Sequence, residues 1–66
     1  MNYSDMLKYI IHGITYFADG TNNLRVLTEI VKTYQLTDIV EVYDERDELI
    51  NTIQVKDIYK LIKEMV

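Results

Sequence analysis

One imidazole, a knot of carboxylates and a row of lysines are the groups in these 66 residues that could carry chemistry. His12 is the single histidine and there is no cysteine, which excludes thiol nucleophiles, thiolate metal sites and disulfides. Catalysis needs reactive groups that converge, and Ser4 has no second histidine to share the work of activating it. His12 falls with Lys8, Thr15 and Asp19 on the polar side of its segment, the setting of a solvated residue rather than a base. Asp44, Glu45, Asp47 and Glu48 crowd one turn, where solvation accounts for them better than a loosely held cation does. "DGTNNL" starts like a calcium loop, but that loop needs Gly at its sixth position and Glu at its twelfth. This chain has Leu24 and Ile30 there. No glycine-rich phosphate cradle is present. The expectation is therefore no catalytic residue, no metal and no cofactor.

Nucleic acid is the rival target. Two helices followed by a β-hairpin match helix-turn-helix and winged proteins in outline. Lys56, Lys60 and Lys63 line one side of the last segment, but Asp57 and Glu64 dilute them, and the wing tip "DERDE" is acidic. The net charge is −4 with seven basic residues, and phosphate binding rewards clustered cations. A dimeric nucleic-acid-binding transcriptional regulator is the alternative reading, and nucleic acid is not the expected partner.

The elements that must position these groups make one domain over residues 1–66. Four segments follow from patterning. The first, about Ser4 to Ala18, reads as a helix: Leu7, Ile10, Ile11, Ile14 and Phe17 recur at steps of three and four. Asn2 or Ser4 would cap it, Asp5 would face the helix dipole, and Gly20 would end it. The second, about Asn23 to Tyr34, places Leu24, Leu27, Ile30, Val31 and Tyr34 on one arc. "ADGTNN" is short, so these two helices should pair antiparallel.

The third segment is a hairpin over "DIVEVYDERDELINTI", with Asp47 in the left-handed turn position. A four-residue turn would put Val40, Val42, Leu49 and Ile53 on one face; a bulged three-residue turn would put Ile39, Tyr43, Leu49 and Ile53 there. The fourth is a helix from Gln54 as N-cap, with Asp57 three residues later and an apolar stripe of Val55, Ile58, Leu61, Ile62 and Met65. The expected fold is α+β in the order α-α-β-β-α.

Two surfaces look unfinished. Tyr9, Gly13 and Tyr16 stand at i, i+4 and i+7 on the back of the first helix, where a tyrosine ring can be half buried against another chain. The hairpin carries apolar residues on both faces in either register, and a two-stranded sheet is marginal alone. A second copy pairing hairpin to hairpin would make four strands, so a homodimer is expected. Tyr9, Gly13, Tyr16 and Tyr43, with the acidic residues Asp44, Glu45, Asp47 and Glu48, are the expected partner-binding set. The chain has no apolar run near the ~20 residues that span a bilayer and no signal-peptide pattern. These absences make the cytoplasm the expected compartment. The reading is a small non-enzymatic interaction protein, an adaptor, regulator or inhibitor, with a composition like that of many phage and mobile-element products.

Overall fold

The computed structural model describes residues 6–65. They form β1 (Leu7–Ile11), β2 (Ile14–Ala18), α1 (Asn23–Thr33), β3 (Ile39–Tyr43), β4 (Leu49–Gln54) and α2 (Val55–Met65). The order is β-β-α-β-β-α, which overturns the expected α-α-β-β-α with its antiparallel pair of N-terminal helices. The expected caps Asn2 and Ser4, and Asp5 of the first turn, lie outside the described residues, as does the side chain of Met65.

The first 18 residues hold a hairpin because of what sits at its middle. His12 and Gly13 both have positive φ, 51° and 79°, and Ile11 pairs with Ile14 across them. Two central residues of positive φ are what a type I′ hairpin turn requires. The flanks are β-branched and aromatic (Ile10, Ile11, Ile14, Thr15, Tyr16, Phe17), types that lose side-chain freedom in a helix and pack well on a pleated surface. A helix would also have carried Gly13 in its interior at a cost of about 1 kcal/mol.

The sheet is antiparallel throughout, in the order β2-β1-β3-β4. β1 therefore lies inside the sheet, and the hairpin β3–β4 finds its extra strands in its own chain rather than in a second copy. β2 and β3 run parallel on either side of β1, so the chain must cross over between them. α1 makes that crossing. Alternation then sorts the side chains: Tyr9, Ile11, Ala18, Val40 and Val42 turn to one face and are buried against Leu27 and Ile30 of α1 and Val55 and Ile58 of α2. Both helices belong to this single core.

Neither expected hairpin register is the one adopted. Val40 pairs with Ile53 and Val42 with Asn51, but a bulge follows and Tyr43 pairs with Leu49. Ile50 is the extra residue. Val40, Val42 and Ile53 thus share the core face, while Ile39, Tyr43 and Leu49 share the other.

The helix ends are satisfied locally. Asp19 Oδ1 accepts hydrogen bonds from the Thr21 amide, the Thr21 hydroxyl and the Asn22 amide, and Asn22 Oδ1 accepts from the Asp19 amide at 2.8 Å. At the start of α2 the Val55 and Lys56 amides donate to the Asp38 and Leu36 carbonyls. Asp57 accepts from the Gln54 amide at 2.9 Å, one half of a capping box. The bonds at α2 dispose of amides that a helix start leaves without partners, whereas those of Asp19 tie down the loop that leads into α1, which has no side-chain cap.

Candidate interaction surface

The face of the sheet opposite the helices has no covering layer among the described residues. Strand register builds it as rows. Lys8 pairs with Phe17 on one side and Tyr43 on the other, and Tyr43 with Leu49, so Phe17, Lys8, Tyr43 and Leu49 cross the sheet in a line. Thr15, Ile10, Glu41 and Thr52 form the next row, and Ile39 with Gln54 a third. Phe17 is 62% exposed, Ile39 53% and Leu49 52%, against 6% for Tyr9 on the core face. An antiparallel sheet with one wet face alternates apolar-in with polar-out. Here the outward positions are mixed, with a large apolar side chain on each of the four strands.

The two charged side chains on this face each have a partner within the chain, and Glu41 keeps its charge. Lys8 pairs with Asp47 of the β3–β4 turn, and Glu41 Oε1 accepts a hydrogen bond from the Tyr43 hydroxyl at 3.1 Å. That bond, ahead of burial and the Glu41 charge, raises the Tyr43 pKa above its ordinary value. Two hollows open on the face: one of about 170 Å³ between Met6, Lys8, Phe17 and Glu45, the other of about 380 Å³ between Ile10, His12, Asp38 and Ile39.

The residues singled out from the sequence do not form one surface. Tyr9 is buried in the core, where desolvation raises its pKa. Tyr16 lies on the core face and its hydroxyl meets that of Tyr34 at 2.7 Å. Gly13 sits at the tip of the β1–β2 turn, its α-carbon facing open space. The supposed stripe vanishes because alternation on a strand, unlike a helix, sends Tyr9 and Tyr16 inward. Tyr43 alone among the four non-acidic positions lies on the open face.

Asp44, Glu45, Asp47 and Glu48 make the β3–β4 turn. Asp44 Oδ1 accepts from the Arg46 and Glu48 amides; the Glu48 amide in particular holds its carboxyl below the usual carboxylate range. Asp47 takes the left-handed conformation at φ 64°, as its type allows. Asp44 is thus a structural acceptor, and Asp47 is engaged by Lys8. Among the described residues no three of His, Asp and Glu converge as metal ligands.

Sequence reasoning missed a second constellation. His12 Nε2 lies 3.2 Å from Asp38 Oδ1, and the His12 ring stacks on Tyr34 with centroids 5.8 Å apart. Tyr34 is pushed up to about 12 by the Tyr16 hydroxyl first, then by burial and by the negative charges that Tyr16 and Asp38 can carry. No hydroxyl or thiol hydrogen-bonds His12 among the described residues. Its partners are 22 and 26 residues away in the chain, and only the turn at His12–Gly13 brings them together. On α2, Lys63 rests over the Tyr59 ring at 5.3 Å.

No family model, curated protein or solved structure matches the chain. Among the described residues no helix is long and apolar enough to cross a membrane.

Proposed function

We propose that the protein is a non-enzymatic protein-interaction module, an adaptor, regulator or inhibitor that docks the uncovered face of its sheet on another protein. The observation that carries this is the trio Phe17, Ile39 and Leu49, each more than half exposed on one continuous face. Large apolar side chains left exposed on a sheet face with no covering layer are a feature of association sites, although here Lys8, Tyr43 and Glu41 stand between them. The face suits protein rather than nucleic acid, because its one lysine is already neutralised by Asp47 and the turn beside it is acidic. A cytoplasmic setting belongs to the same proposal.

A photo-crosslinking amino acid at position 17, compared with one at Lys60 on α2, tests the reading in cells that express the protein. A discrete protein adduct from position 17, lost on Ile39→Asp and not formed from position 60, is the expected result. Equal labelling from both positions, or none, contradicts it.

A further inference from the structure

The two edges of the sheet treat their backbone groups differently. Ile11 and Ile14 flank a two-residue turn, and such a flanking pair exchanges both of its hydrogen bonds. Bonded and non-bonded pairs alternate along an antiparallel ladder. Thr15 and Phe17 therefore aim their amides and carbonyls out of the sheet. The same alternation, carried through β1–β3 and β3–β4, aims Thr52 and Gln54 outward at the far edge. There the amides are already engaged: Thr52 N–H donates to Asn51 Oδ1 at 2.9 Å and Gln54 N–H to Asp57 Oδ2 at 2.9 Å. β4 is a closed edge. On β2 no side chain among the described residues takes the Thr15 or Phe17 amide, and "ITYFA" has none of the charges, prolines or bulges that guard an exposed edge.

We propose that β2 pairs with the β2 of a second copy, antiparallel about a twofold axis at Tyr16, so that two sheets join edge to edge into one. An open row of backbone donors and acceptors takes another extended backbone, and the limits of this row select the register. Bonded pairs must join outward residues of both copies. Thr15 on the partner's Thr15 would set Phe17 against the partner's Gly13, which is in the turn at φ 79°. Phe17 on the partner's Phe17 would call on the Asp19 amide, which Asn22 Oδ1 already holds at 2.8 Å. Thr15 on the partner's Phe17, with the reverse pair across the axis, uses every outward group of both strands. The strand is its own complement in that register alone.

Side chains and charge agree with it. Phe17 comes beside the partner's Thr15 and Tyr16 beside the partner's Tyr16, an aromatic–β-branched and an aromatic–aromatic pair of the kinds that stabilise neighbouring strands. Ile14, 52% exposed, gains the partner's Ala18 as cover. β2 itself is uncharged. The acidic β3–β4 turn lies toward the Ala18 end of β2, beyond the row of Phe17, Lys8 and Tyr43. Antiparallel pairing thus sends the acidic turns of two chains, each carrying −4, to opposite ends of the joint. A joint of two short strands is smaller than the roughly 1,000 Å² of a standard interface, so the dimer belongs to the weak, concentration-dependent class. The open face takes no part in it.

Sedimentation equilibrium from about 10 µM to about 2 mM, a range that covers weak association, tests the proposal. The wild-type chain is expected to dimerise. Thr15→Pro removes an outward amide that the monomer does not use, at an edge position where proline is tolerated; it should weaken the dimer by at least about tenfold. Thr52→Pro, the same change on the closed edge, and Ile39→Asp, on the open face, should leave the dimer unchanged, with circular dichroism confirming that each variant folds. A second readout needs no variant. In a mixture of isotope-labelled and unlabelled chains, a nuclear Overhauser effect should connect the Hα of Tyr16 with that of the partner's Tyr16, which this register sets facing each other across the axis. A monomer at every concentration overturns the proposal, and so does a dimer that lacks this contact. A dimer weakened by Ile39→Asp but not by Thr15→Pro places the second copy on the open face; the edge pairing then falls while the interaction reading stands.

Discussion

Replacing Gly13 by alanine separates the hairpin from a helix by the sign of a single stability change. Gly13 has φ 79°, and a methyl group built on it meets nothing within 4 Å. No clash contributes, so the effect is conformational: an L-residue in the left-handed region costs about 1–2 kcal/mol. Against that, alanine restricts the unfolded chain and returns about 0.4–1 kcal/mol. The net expectation is a loss of about 1 kcal/mol, which in a domain of this size lowers the melting temperature by about 4–8 °C. Gly13→Asn should lose distinctly less, since asparagine enters this region more readily than other side chains. Urea unfolding followed by far-UV circular dichroism, with an unchanged m-value, measures both. Had residues 7–17 been helical, the same alanine would stabilise by about 1 kcal/mol. A stabilised or unaffected Gly13→Ala variant refutes the turn, and with it the rows that build the open face.

Other outcomes follow from the same packing. The raised Tyr34 pKa means the folded chain keeps a proton that the unfolded chain releases near pH 10. Stability from this group is therefore complete below about pH 10 and lost as pH climbs through about 12. Melts across that window should show the fall, and Tyr16→Phe, which removes the partner hydroxyl, should flatten it. For Asp44 the sign reverses. Its folded pKa is depressed, so its contribution is present above the ordinary carboxylate range and fades as acid protonates it; Asp44→Asn should lower the melting temperature at neutral pH and narrow the difference in acid. Ile30→Ala, at a fully buried position, should cost about 2–5 kcal/mol. A 66-residue domain has only about 3–10 kcal/mol in total, so denaturant titration should find this variant largely unfolded near 37 °C.

The element types of the later two-thirds were legible from sequence, although the hairpin register was not, and Leu24 and Leu61 of the expected apolar arcs are exposed. α1 and α2 each show an apolar arc against a charged one, and the β3–β4 hairpin has β-branched strands around a polar break in which Asp47 takes the left-handed position as expected. Residues 7–18 were misread because both faces of that hairpin are apolar. Leu7, Ile10, Ile11, Ile14 and Phe17 satisfy a helical period only because the outward positions Ile10 and Phe17 are as greasy as the inward Ile11. An ordinary half-buried strand would have shown polar residues there, and alternation would have been plain. The feature that hid the strands is the apolar character of their outer face. The turn signal was present in Gly13, but histidine is an uncommon first residue for such a turn, and its contacts with Asp38 and Tyr34 are not local. The open face as a whole was invisible for a further reason: its rows exist only once β1 lies beside β3, a pairing of residues more than 30 apart.

The central claim is the proposal that the sheet face opposite the helices docks on a partner protein, and crosslinking in cells tests it most directly. A photoreactive side chain at position 17 should give a discrete protein adduct that Ile39→Asp abolishes, while one at Lys60 on α2 gives none. Equal labelling from both positions, or from neither, contradicts it.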